Sequence, residues 1–150
     1  MERKKIEIGY NEVNVGDVFV SPSRTVSESD IMTFAGMTGD NNEIHTSAAV
    51  AAKGRFGKRI AHGMLTMGIA NGLYVRMGLF ENSVLLEIQN WKVPKPVFLG
   101  DSIYLKLTIE GKRETKKPEW GICDMKYEVF NQDDEYVAGG MIIRMVPIRR

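Results

Sequence analysis

The run from Ile60 to Val75 is the most apolar in the chain, and any fold must bury most of it. Met64, Leu65, Met67, Ile69, Ala70, Leu73 and Val75 put apolar groups on most sides of a helix drawn from His62 to about Arg76. A helix of that kind is wrapped by other elements rather than laid on a surface. Gly63, Gly68 and Gly72 each cost about 1 kcal/mol relative to alanine in a helix interior. Such glycines are tolerable where a backbone comes close to a strand or a ligand. His62 and Asn71 interrupt the run, and it falls short of the roughly 20 apolar residues that cross a bilayer.

What wraps the helix follows it in the sequence. Ile103, Leu105, Leu107 and Ile109 alternate with Tyr104, Lys106 and Thr108, and Cys123, Met125, Tyr127 and Val129 alternate with Asp124, Lys126 and Glu128. Period-two alternation marks strands buried on one face. Asn131 to Asp134 supplies turn chemistry before a further strand from Tyr136 to Pro147. Leu85 to Val93 is another strand candidate, ended by Pro94 and Pro96. The last three strands are expected to be consecutive antiparallel neighbours. The fold class is α+β, with an antiparallel sheet curling around one buried helix.

The N-terminal half is more broken. Val18 to Val20 and Thr25-Val26 are pieces of a first strand, bent or edge-placed because Pro22 cannot donate a ladder hydrogen bond. Ser27, with Asp30 three positions on, is a helix N-cap signal. The helix it starts runs through Ile31, Phe34 and Ala35 and stops near Gly36 or Gly39. A second short helix fits Ser47 to Ala52, with Gly54 at its end.

With 150 residues and no linker or repeat, residues 1–150 are expected to form a single domain. A formal net charge of +1 supplies no field to attract nucleic acid or an anionic membrane. The charged start, Met1 to Lys5, leads into no apolar segment, so no secretory signal is expected, and the protein reads as soluble and cytoplasmic. Cys123 is the single cysteine and sits in a strand pattern, as a small hydrophobe rather than a reactive thiol. Neither a metal site nor a dinucleotide fingerprint is expected, because the two histidines and the cysteine lack ligand spacing.

The chemistry-bearing residues cluster in two places. Gly39-Asp40-Asn41-Asn42-Glu43-Ile44-His45 sets a carboxylate and an imidazole five positions apart on an expected irregular segment. Ala61-His62-Gly63-Met64 opens the apolar helix. An acid/base pair beside a glycine-led helix N-terminus is a means of moving a proton next to a carbonyl. Taken singly, each residue has a plainer reading: Asp40 as a turn residue, His45 as a local hydrogen-bonding group, Gly63 as a packing glycine.

Phe34-Ala35, then Gly39-Asp40-x-Asn42-x-Ile44-His45, then Arg59-Ile60-Ala61-His62-Gly63-Met64-Leu65, resemble the MaoC-like hydratases, a hotdog-fold family that includes (R)-specific enoyl-CoA hydratases. Pro94-x-Pro96-Val97 and Gly100-Asp101 before a strand extend the likeness, which covers about residues 15–145. One position departs: the family usually has proline where this chain has Glu43, and proline shapes the loop that aims the acid and the base.

The resemblance implies a hotdog fold and a hydratase/dehydratase that interconverts trans-2-enoyl and (R)-3-hydroxyacyl thioesters. The substrate handle would be coenzyme A, or acyl carrier protein, with no separate cofactor. Asp40 and His45 would share the activated water, in roles left unassigned. Gly63 would offer its N–H to the thioester oxygen, Asn71 would support the histidine from the central helix, and Asn42 would organise the loop. His62 is read as a helix cap or local hydrogen-bonding group. Arg59, with Lys53, Arg55 and Lys58, either meets the phosphates of coenzyme A or forms a solvated basic loop. Met32, Met37, Met64, Met67 and Met77 are either acyl-tunnel lining or plain core. A homodimer or larger homo-oligomer is implied. A hotdog thioesterase and a non-catalytic acyl-CoA-binding domain are the alternatives.

Overall fold

The computed structural model describes residues 7–149, so the charged start at residues 1–5 lies outside the described residues. Helices are α1 (Glu28–Thr38), α2 (Glu43–Thr46), α3 (Ala48–Lys53) and α4 (Gly63–Arg76). Strands are β1 (Val18–Val20), β2 (Arg24–Thr25), β3 (Val84–Lys92), β4 (Ser102–Glu114), β5 (Trp120–Phe130) and β6 (Tyr136–Pro147). The sheet runs β1-β4-β5-β6-β3, with the two-residue β2 also on β4, and every pairing is antiparallel. It is open, with β1 and β3 at its ends.

Alternation sets the register. Leu105 faces Val129, Leu107 faces Tyr127 and Ile109 faces Met125 across β4 and β5. All of them are buried, in one core with Leu65, Ile69, Ala70 and Leu73 of α4. A one-residue slip would carry every one of these side chains to solvent, so burial itself fixes the pairing. Cys123 lies in the same core, and burial pushes its thiol up to about 12.

The sheet covers α4 only in part. Met64 is 67% exposed and Val75 63%, and Gly68 and Gly72 lie open between them. The helix is therefore not enclosed all round, contrary to what its composition suggests. A Cβ added at Gly68 or Gly72 would meet nothing within 4 Å, so no strand of this chain requires those glycines.

The N-terminal half holds the chain in position around α4. Ser27 Oγ accepts from Asp30 N at 3.1 Å, and Asp30 Oδ2 accepts from Ser27 N at 2.8 Å, a reciprocal cap that starts α1. Gly39, at φ 81°, ends the helix in the left-handed region and turns the chain into the Asp40 loop. Residues 43–46 are helical rather than irregular, so His45 stands on a turn of helix. Ile60 N donates to Ile44 O and Ala61 N to Val97 O, tying the segment before α4 to both α2 and the 97–98 strand bridge.

Gly140 lets β3 approach β6 closely. A Cβ there would stand 2.9 Å from Gln89 O and from Trp91 Cα, both backbone atoms. Gly140→Ala should therefore lower stability by about 1–3 kcal/mol, read as a shift in the urea midpoint at unchanged m-value.

Candidate active site

Three side chains from separate segments meet at the N-terminal end of α4. One donor atom each from Asp40, His45 and His62 lies within 4.8 Å of the others. Both histidines are buried and Asp40 is partly exposed. The imidazole rings stack at 3.9 Å between centroids, and Phe34 packs against His62 at 4.8 Å.

Hydrogen bonds fix the tautomer of each ring. His45 Nδ1 lies 2.7 Å from Ile60 O, and His62 Nε2 lies 2.9 Å from Asp40 O. A carbonyl only accepts, so those two nitrogens carry the protons. The neutral His45 ring therefore presents Nε2 as a lone pair, the form a general base needs. His62 Nδ1 is left as a buried lone pair with no hydrogen-bond partner among the described residues. His62 occupies the N-cap position of α4, but its side chain caps nothing. Its hydrogen bond instead holds the backbone of the Asp40 loop.

Asp40 is set by its own loop. Asn42 donates from Nδ2 to Asp40 Oδ1 at 3.1 Å, and Asp40 N donates to Thr38 Oγ1 at 3.2 Å. Asn42, at φ −50° and ψ 131°, has the extended backbone that a residue before proline adopts. Glu43 takes the first helical position, where proline is favoured because that N–H has no helical acceptor. The loop therefore keeps a proline-compatible path without the proline.

The donor atoms of Asp40, His45 and His62 stand within 4.8 Å of one another, close enough to share a water or a metal ion. Ligand spacing along the chain gave no hint of this gathering, because the contacts join residues 40, 45 and 62 through the fold.

Gly63 begins α4 and is exposed, and its N–H has no acceptor within the helix. A Cβ there would lie 3.6 Å from Val93 Cγ2, an ordinary contact. Packing within this chain thus does not demand glycine at 63. A cleft of about 380 Å³ opens over this end of the helix, bordered by His45, Gly63, Thr66, Arg55, Phe56 and Val93.

Two residues go elsewhere. Asn71 does not reach His45. Its Oδ1 accepts from Tyr127 Oη at 3.3 Å and from Arg144 Nη2, further along α4. Arg59 is not a free phosphate-binding cation: its side chain is 10% exposed, with Nε donating to His45 O at 2.7 Å and Nη1 paired to Glu28 at 2.8 Å. It braces the helix turn that carries the base. Of the methionines, Met64 and Met67 line a second, apolar cavity, Met32 and Met37 are exposed, and Met77 packs on the core.

The family model described as "MaoC like domain" matches residues 11–128. The chain belongs to the MaoC-like family. It is 32% identical to the MaoC protein of Klebsiella aerogenes over 74% of this chain, a match that spans only 35% of that protein's length. It is 35% identical to an (R)-specific enoyl-CoA hydratase of Rhodospirillum rubrum, over 65% of this chain and 67% of that one. Among solved structures, an unliganded R-hydratase from Pseudomonas aeruginosa superposes with a TM-score of 0.80 at 31% identity, covering 95% of this chain and 88% of the other. A Mycobacterium tuberculosis protein described as having a double hotdogfold superposes with a TM-score of 0.82 at 18% identity, over 95% of this chain and 45% of its own. The open antiparallel sheet with its central helix is this hotdog fold.

The MaoC-like loop with Glu43 in place of proline makes a direct test. Glu43→Pro should fold with stability unchanged or raised by about 0.4–1 kcal/mol, because the backbone already fits it. Thermal unfolding of the two proteins side by side measures the difference, and a large loss of stability would show that the path is not proline-compatible.

Proposed function

We propose that this MaoC-like chain hydrates trans-2-enoyl thioesters to (R)-3-hydroxyacyl thioesters and catalyses the reverse dehydration, with coenzyme A as the carrier. The observation that carries the reading is the hydrogen bond from His45 Nδ1 to Ile60 O. It leaves Nε2 as the unprotonated nitrogen of a ring clustered with Asp40, and one water can bridge the two groups.

The steps follow from the groups present. Water held between Asp40 and His45 loses a proton to one of them as its oxygen attacks the β-carbon. Negative charge builds on the thioester oxygen, which sits at the Gly63 N–H, where the helix dipole also favours it. The enolate-like species then takes a proton at the α-carbon from the acid/base pair. One oxygen–hydrogen bond of water and the carbon–carbon π bond break, and one carbon–oxygen and one carbon–hydrogen bond form. Stacking on His62 and the Arg59 brace hold the imidazole in place during this exchange.

The assay is crotonyl-CoA hydration, followed by loss of conjugated thioester absorbance and separately by release of free thiol. Absorbance loss without thiol supports the reading; thiol release would instead make the chain a thioesterase. Asp40→Asn and His45→Ala should each lower the hydration rate about 10²–10⁴-fold. Full activity in both variants overturns the assignment.

The working unit is a homodimer in this reading. β3 lies at an end of the sheet with Val84, Leu85, Leu86 and Ile88 each 40–50% exposed, beside the uncovered flank of α4. An apolar edge strand of that length is a surface that associates. Leu86→Lys together with Ile88→Lys should convert the dimer to monomer in sedimentation velocity, and an unchanged sedimentation coefficient would remove β3 from the interface.

A further inference from the structure

Arg144 is a buried cation that the acid/base chemistry leaves unused. It follows Ile142 and Ile143 in β6 and is 7% exposed. Among the described residues its guanidinium donates from Nη2 to Asn71 Oδ1, lies against the Tyr127 hydroxyl and stands 4.7 Å from the Tyr74 ring centre. Its Nε is buried with no hydrogen-bond partner among the described residues. None of the ion pairs among the described residues includes it. The Tyr127 hydroxyl shares the same Asn71 oxygen, and burial raises the Tyr127 phenol above its ordinary value, so it stays a donor. Asn71 thus turns its oxygen to two donors. Among the described residues the groups that contact the guanidinium are thus neutral, while Glu7 and Glu81 line a second cavity at Arg144. A buried charge so placed is stabilised when a carboxylate pairs with it directly.

The cavity beside Arg144 has the shape for such an anion to arrive on a hydrocarbon chain. It holds about 200 Å³, and its walls are Met64, Met67, Leu85, Ile88 and Ile142, with Arg144, Asn71 and Tyr127 as the polar groups. Met64 directly follows Gly63, so the cavity begins one residue from the proposed thioester-oxygen donor. From 63 to 71 is eight helical positions, or about 12 Å along α4. Gly68 and the flexible thioethers keep that flank of the helix low and adaptable.

We propose that Arg144, with Asn71, is a subsite for a carboxylate at the far end of the acyl chain, so that the preferred substrates are ω-carboxy-2-enoyl thioesters. The proposal rests on the hydratase reading of the same site: the thioester oxygen is at Gly63, the acyl chain lies along Met64 and Gly68, and the distal carboxylate pairs with the guanidinium. A planar fork of donors suits a carboxylate better than an ammonium would.

The test uses the full chain and pairs of enoyl-CoA esters of equal length, one ending in methyl and one in carboxylate, over a series of chain lengths. At the length that spans the groove, the wild-type kcat/KM should be at least about tenfold higher for the carboxylate-ended ester. Arg144→Met should bring the two within about twofold of one another, and Arg144→Lys should retain part of the preference. A wild-type preference for the methyl-ended ester at every length overturns the subsite, as does a preference unchanged in Arg144→Met. The wild-type comparison holds even where the variant folds poorly. If no ester of either kind is hydrated, the catalytic reading falls. Calorimetry with the saturated esters then decides the subsite separately: tighter binding of the carboxylate-ended ester, lost in Arg144→Met, upholds it, and equal binding overturns it.

Discussion

The fold and the site both depend on how α4 packs into the sheet. Leu65, Ile69, Ala70 and Leu73 enter the core formed by β4, β5 and β6, and that burial fixes the rotation of the helix about its axis. Burying each of Leu65, Ile69 and Leu73 contributes about 1.5–3 kcal/mol, which disfavours any other rotation. Once the rotation is set, Gly63 faces the cleft, Met64 and Gly68 face an open flank, and Asn71 meets Tyr127 and Arg144. The geometry of the candidate site is thereby a consequence of hydrophobic packing along one helix.

The second constraint joins that helix to the loop before it. His62 ends one segment and stacks on His45 of another, while its Nε2 holds the Asp40 carbonyl. Three stretches of chain meet on that one ring. Backbone carbonyls, rather than charged side chains, hold both imidazoles. Arg59 adds a brace from outside by gripping the His45 carbonyl and Glu28.

Much of this was legible in the residues. Alternation over β4 and β5 reports burial on one face, and the Ser27–Asp30 cap reports where α1 begins, because both signals are local. The MaoC-like resemblance pointed to Asp40, His45 and Gly63, and the fold brings these to one end of α4. What failed depended on distant neighbours. Asn71 was expected beside His45 from its count along the chain, but its partners come from β5 and β6. Arg59 read as part of a basic loop because nothing local shows that its side chain turns inward. Arg144 did carry a signal, a charged residue inside the apolar run Met141 to Val146, and that is the pattern by which its role was open to detection.

The sequence by itself determined the elements, the one-sided burial of the long strands and the presence of an acid, a base and a glycine-led helix. Those are properties of short windows, set by periodicity, capping and turn chemistry. Only the tertiary structure decided which nitrogen of each histidine is free, which flank of α4 stays uncovered and which cation is buried without an ion pair among the described residues. Each of these depends on atoms brought together from positions as far apart as Asn71 and Arg144, and contacts over that separation have no signature in local sequence.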